Sequence, residues 1–219
     1  MTIKLYGVAM STCTAKVLAC LHEYGAEFEL VPVNLQNGEH KQPAFLAKNP
    51  FGQIPALEDG DLTLFESRSI STYVAEKFKG SSCDLLRSQN PKEAALVKTW
   101  MEVESQQFSP AISPIFYQSI IVPILYGGSP NQAIIDESAA KLGKVLDVYE
   151  KKLSSSKYLA GDFYSLADLH HLTYIYYLMK TPYGKLINER PRVKAWWEDI
   201  SSRPAFKKVA PGLTLGDKN

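Results

Sequence analysis

Three cysteines in 219 residues, Cys13, Cys20 and Cys83, are too few and of the wrong parity for a disulfide framework. A sparse, odd set points to a reducing, cytoplasmic setting. No Cys/His grouping has zinc spacing, so no metal centre is expected. Charge of one sign is also lacking: 24 Lys+Arg against 23 Asp+Glu leave a net charge of +1. With no basic run, the chain has no electrostatic drive toward nucleic acid or an anionic membrane. No GxGxxG string occurs, nor GxxxxGK followed by Ser or Thr, so a nucleotide phosphate loop is excluded. No uninterrupted apolar run reaches the length of a bilayer span, and the opening Met1-Thr2-Ile3-Lys4-Leu5-Tyr6 is too short and polar for a signal peptide. A chain with no membrane partner is the expectation.

What is present is an ordinary globular balance, 45% hydrophobic and 21% charged, long enough for two small domains. Residues 3–6 read as a strand and 12–24 as a helix, with Val17, Leu18 and Leu21 at helical spacing and Gly25 as its stop. Residues 28–33 read as a strand that Pro32 places at an edge. Residues 53–58 and 62–65 read as a hairpin through Asp59-Gly60-Asp61, and Ser67 opens and caps a helix. This β-α-β-β-β-α order is mixed α/β over 1–80. A linker follows over 81–90, and 91–219 reads as helical. There Pro110, Pro114 and Pro123 are expected to break or kink the chain, and 133–153 forms a long amphipathic helix. Ser165 and Asp168 form a capping box for a helix through Ile175, 191–202 is a further helix, and the tail from Ala210 is expected to be loose.

The string Gln53-Ile54-Pro55-Ala56-Leu57-Glu58, followed by Phe65-Glu66-Ser67-Arg68, carries the chemistry. Proline at a strand start suits a cis bond that turns the Ile54 backbone outward, where an extended peptide can pair with it. A helix N-terminus with the Ser67 hydroxyl suits a carboxylate, and Glu66 beside it suits an ammonium. Together they fit the α-amino acid end of a small peptide.

These residues resemble the glutathione site of cytosolic glutathione transferases. Asn49-Pro50-Phe51-Gly52-Gln53-Ile54-Pro55, Asn37-Gly38-Glu39-His40-Lys41, Ser165-Leu166-Ala167-Asp168-Leu169-His170-His171 and Arg190-Pro191-Arg192-Val193 look like the plant phi class, in register from about residue 3 to about residue 210. The resemblance implies a thioredoxin-like N-terminal domain, an all-α C-terminal domain and a homodimer. It makes Ser11 the serine-type donor to the glutathione sulfur, with Thr12 beside it. His40, Lys41 and Gln53 would hold the glycyl carboxylate, the backbone of Ile54 before Pro55 the cysteinyl unit, and Glu66, Ser67 and Arg68 the γ-glutamyl end. Met10, Leu35, Phe116, Tyr117 and Ile120 are candidates to line an electrophile pocket. Glutathione enters as co-substrate, with no tightly bound cofactor. The family's Pro two residues before the serine is Ala9 here, and the first basic residue after it is Ala15, so Thr12 stays a rival to Ser11.

Lowering a thiol pKa of about 8.5 by about two units takes roughly 2.7 kcal/mol, and one hydroxyl donor to an anion offers about 1.5–3 kcal/mol. Ser11 with the start of a helix suffices, and no general base is needed. The implied activity is conjugation of glutathione to small hydrophobic electrophiles, with reduction of organic hydroperoxides as an addition. The alternatives are a non-catalytic carrier of apolar molecules and a thiol-disulfide oxidoreductase using Cys13. Cys13 is displaced from the serine position and reads as a buried structural thiol, Cys20 as core and Cys83 as an exposed linker thiol. His170 and His171, adjacent on a helix, diverge and read as structural. Phe51, on a polar loop, reads as an apolar plug for a partner subunit.

Overall fold

The computed structural model describes residues 2–80 and 83–214. They form two compact units, one running through Asp84 and taking in Pro204–Leu213, the other spanning Leu85–Arg203.

The first unit holds β1 (Ile3–Gly7), α1 (Thr12–Glu23), β2 (Phe28–Pro32), the short α2 (Pro43–Leu46), β3 (Ala56–Asp59), β4 (Leu62–Phe65) and α3 (Ser67–Lys77). Strand order is β2-β1-β3-β4, with β1 and β2 parallel and the other pairs antiparallel. Leu5 pairs with Leu30 on one side and Leu57 on the other, which puts β1 in the middle and buries its alternate residues Ile3, Leu5 and Gly7. Pro32 ends the edge strand, where its missing N–H breaks no central ladder. Gly60, at φ +66°, turns the β3–β4 hairpin. This mixed sheet is the thioredoxin-like arrangement expected above.

Helix α1 buries Val17, Leu18, Cys20 and Leu21, and packs on α3 and on α12 (Pro204–Val209) of the same unit. Full burial of each such Val or Leu stabilises by about 1.5–3 kcal/mol. Gly7 allows the approach of β1 to α1, because a Cβ there would lie 2.4 Å from the Thr14 hydroxyl.

The second unit contains α4 (Pro91–Val103), α5 (Ser109–Phe116), α6 (Val122–Leu125), α7 (Gln132–Lys152), α8 (Leu166–Leu169), α9 (Leu172–Met179), α10 (Lys185–Asn188) and α11 (Pro191–Ser201). Asn90 caps α4 by accepting from Lys92 N and Glu93 N. The prolines interrupt the regular α-helix, as expected, but do not end the helical run. Two π-helical turns, Glu104–Phe108 and Tyr117–Ile121, precede the proline-bearing segments and keep Pro91–Leu125 helical throughout. Wider turns of this kind accommodate missing donors that would otherwise interrupt the i→i−4 ladder. By length and composition that continuous helix passes the measure for a membrane span, with a mean hydropathy of 1.4 over its most apolar stretch. The expectation from apolar run length is corrected to that extent.

Other differences are local. The helix expected from Ser165 through Ile175 divides at His170–His171 into α8 and α9. Residues Ala210–Gly212 form a 3-10 turn and Leu213 is fully buried, so this part of the tail is not loose, while 215–219 lie outside the described residues. Ser81 and Ser82 of the expected linker also lie outside them, and Cys83 is partly buried rather than exposed.

Candidate functional site

The corner where β4 passes into α3 departs from the sequence reading in one respect. Glu66, not Ser67, is the N-cap, and Ser67 is the first helical residue, with no side-chain capping bond. Glu66 holds φ 68° and ψ 110°, a left-handed region that non-glycine residues rarely occupy. Its side chain is exposed. Ser67 is only 4% exposed, yet among the described residues no hydrogen bond reaches its hydroxyl. The hydroxyl oxygen keeps contact with solvent-accessible space, so it is open to a ligand.

One cavity of about 60 Å³ gathers Gln53, Ile54, Pro55, Glu66, Ser67 and Arg68, all expected from the sequence, together with Asn49 and Cys13. The Ile54–Pro55 bond is cis, as expected. Sequence reasoning missed Asn49 as a site residue. Its amide donates to Gln53 O at 2.7 Å and its carbonyl accepts from Phe51 N at 3.0 Å, so it fixes the loop leading to Ile54. The signal lay in the Asn49-Pro50 dipeptide, a turn former before the informative string. Cys13 was read as a buried structural thiol. It is half-buried instead and lies on the cavity wall.

His40 and Lys41 lie in the 3-10 turn Glu39–Lys41 against Gly52, off the wall of this cavity. A Cβ on Gly52, at φ +58°, would come within 2.7 Å of His40 O and 2.9 Å of Lys41 Cδ, so only glycine admits this contact. Lys41 Nζ donates to Phe51 O (3.2 Å) and Gly52 O (2.8 Å), leaving one of its three donors for a ligand. His40 Nδ1 is buried with no hydrogen-bond partner. Both side chains therefore keep hydrogen-bonding capacity beside Gln53.

Ser11 is the N-cap of α1, and its Oγ accepts from Thr14 N at 3.3 Å. The oxygen is used as an acceptor, which leaves the hydroxyl proton to donate elsewhere. Ser11 is half-buried, whereas Thr12 is buried to 7% exposure. Neither lies on the wall of the 60 Å³ cavity.

The apolar candidates fall in both units. Met10 is half-buried and Leu35 exposed in the first. In the second, Phe116 lies edge-on to Tyr174 (5.7 Å) and tilted against Tyr177 (4.8 Å), and Tyr117 is exposed near Tyr126. Ile120 is buried and lines a cavity of about 240 Å³ with Ile124, Tyr177 and Lys180. Phe51 is 65% exposed, its ring edge-on to Phe65 at 6.0 Å. Among the described residues no cluster of His, Cys, Asp and Glu is able to hold a metal ion.

Comparison with known proteins accords with this geometry. Residues 1–76 match the glutathione S-transferase N-terminal domain family and residues 100–204 its C-terminal domain family. The chain is 61% identical to glutathione S-transferase F13 of Arabidopsis thaliana, over 98% of each chain. Among solved structures, glutathione transferase F7 of Populus trichocarpa superposes with a TM-score of 0.95 at 69% identity, covering 97% of this chain and all of that one. Glutathione S-transferase I from maize, in complex with an atrazine glutathione conjugate, superposes at 0.91 with 46% identity, over 97% of this chain and 98% of that one.

Proposed function

The chain belongs to the glutathione S-transferase family, among plant phi-class relatives, and we propose that it joins the thiol of glutathione to small hydrophobic electrophiles. The observation that carries the reading is the unpaired Ser67 hydroxyl, which faces one cavity with Glu66 at the start of α3. The γ-glutamyl carboxylate takes the Ser67 hydroxyl and the helix N-terminus, and its ammonium takes Glu66. The Ile54 backbone pairs with the cysteinyl unit. The remaining Lys41 donor, His40 and Gln53 hold the glycyl carboxylate.

The reaction needs a sulfur anion near neutral pH. Ser11 supplies it in this reading: its oxygen accepts from Thr14 N, which polarises the hydroxyl, and the proton points to the thiolate. The thiolate attacks the electrophile, a carbon–sulfur bond forms, and the leaving group departs or an activated alkene takes up a proton. Thiol and electrophile supply all the reacting atoms, so no resident cofactor is required. Phe116, Tyr117 and Ile120 of the second unit are the apolar surface offered to the electrophile. Three free cysteines support a reducing, cytoplasmic setting. The exposed Phe51 ring supports a homodimer in which it enters the partner subunit.

Ser11→Ala tests the mechanism with a model aryl halide. The expected result is a kcat lower by roughly 10- to 100-fold, the worth of one hydroxyl donor to an anion, with glutathione affinity changed by less than about threefold. Full activity in Ser11→Ala, with loss in Thr12→Ala, moves the donor one residue on.

A further inference from the structure

The three thiols of this chain sit in three different surroundings. Cys20 is fully buried, its Sγ lies 3.5 Å from Ser71 O, and burial pushes its thiol well above the ordinary range. Cys83 is partly buried and lies off the 60 Å³ cavity. Cys13 is half-exposed, in the first turn of α1, and shares the wall of that cavity with Ile54, Glu66 and Ser67. The mechanism above does not use it.

The cavity is marked as a ligand site independently of the cysteine by Ser67, a residue only 4% exposed that lines the cavity and whose hydroxyl has no hydrogen-bond partner among the described residues. If that ligand is glutathione, as the proposed function holds, a protein thiol stands in the wall of a site built for a peptide thiol. The cavity is small, about 60 Å³. A group attached to Cys13 therefore competes directly with the γ-glutamyl end for Glu66 and Ser67.

We propose that Cys13 is a modification site: exchange with a glutathione disulfide leaves a glutathionyl group on its Sγ and closes the peptide site until a thiol removes it. The Cys13 thiol loses its proton to solvent, and the thiolate attacks one sulfur of the disulfide. A bond forms between Cys13 Sγ and that sulfur, and the original S–S bond breaks. The second glutathione departs as thiolate with the electron pair. The protein thiol is oxidised and one half of the disulfide reduced, with the disulfide as the only oxidant. Excess free thiol runs the same exchange backward. The site is thereby shut when oxidised glutathione accumulates and open when the reduced form prevails.

The test uses the full-length, reduced protein. It is incubated with oxidised glutathione, freed of small molecules, mapped by peptide mass spectrometry, and titrated in a calorimeter with S-methylglutathione, a glutathione analogue without a free thiol, before and after dithiothreitol. One glutathionyl adduct on Cys13 is expected, with at least a tenfold loss of affinity for the analogue that dithiothreitol restores. Cys83→Ser keeps the whole response, and in Cys13→Ser the treatment changes nothing. An adduct on Cys83 alone, no adduct, or a Cys13 adduct that leaves affinity intact overturns the proposal. Aryl halide turnover by the reduced protein separates the two readings. Its absence refutes the transferase reading, whereas turnover without a Cys13 adduct refutes only the modification.

Discussion

Two corners of this molecule start a helix with a serine and a carboxylate, and they treat those groups in opposite ways. At α8, Ser165 and Asp168 close a capping box upon each other. The Asp168 carboxylate accepts from Leu159 N (3.0 Å), Ser165 N (3.1 Å), Ser165 Oγ (3.1 Å) and Trp196 Nε1 (3.0 Å), all fully or almost fully buried. At α3, Glu66 is exposed and the Ser67 hydroxyl faces a cavity. A serine and a carboxylate form a structural anchor where every donor is met, and a proposed binding site where some are left open. Satisfied polar groups hold a fold, and unsatisfied ones wait for a ligand.

Substitution at the closed corner should have the largest effect. Asp168→Ala leaves Leu159 N, Ser165 N and Trp196 Nε1 without an acceptor, and at about 1–3 kcal/mol for each orphaned group the loss should reach about 3–5 kcal/mol. An unfolding free energy from urea titration within about 1 kcal/mol of the parent, at unchanged slope, would show that the corner is not the anchor described.

The same carboxylate gives a pH dependence. Burial raises the Asp168 pKa from 3.8 to about 6, against the pull of its four donors. The folded form then holds this proton more tightly than the unfolded chain. Its stabilising contribution is complete below pH ~4 and lost as pH rises through about 6, a span worth about 3 kcal/mol. Unfolding free energies of the parent and Asp168→Asn, taken at several pH values, isolate it because other carboxylates cancel in the difference. The parent should lose ground to the variant as pH rises across that window, and a flat difference refutes the burial argument.

At the open corner the effect falls on affinity instead. Ser67→Ala removes a hydroxyl that has no partner in the protein, so stability should change little or rise slightly. Glutathione should bind roughly 10-fold more weakly, the loss of one hydrogen bond to a carboxylate. Calorimetry and thermal unfolding on one sample check both halves. A stability loss without an affinity loss would make the two corners alike.

Much of this was legible beforehand because its causes are local. The Gly60 turn, the Ser165–Asp168 box, Pro191 at the start of α11 and the cis Ile54–Pro55 bond each depend on partners a few residues away. The continuity of Pro91–Leu125 was not legible, since proline is read as a breaker unless π-helical turns absorb it. Nor was the exchange of roles between Glu66 and Ser67 at the helix start, because composition favours Ser over Glu as an N-cap and only the backbone turn at Glu66, φ 68°, moves the start of the helix.

By itself the sequence determined the α/β-then-helical order, the string proposed to bind the peptide and the family, because propensity, turn chemistry and motif spacing are properties of neighbouring residues. Only the tertiary structure decided which polar groups stay unpaired, and that Cys13 belongs to the cavity rather than to the core. Exposure of a hydroxyl or a thiol is set by elements distant in the chain. Cys13 on α1 meets Ser67 on α3 only after the strands that separate them in the chain have paired and α1 has packed on α3, and no spacing in the sequence records that meeting.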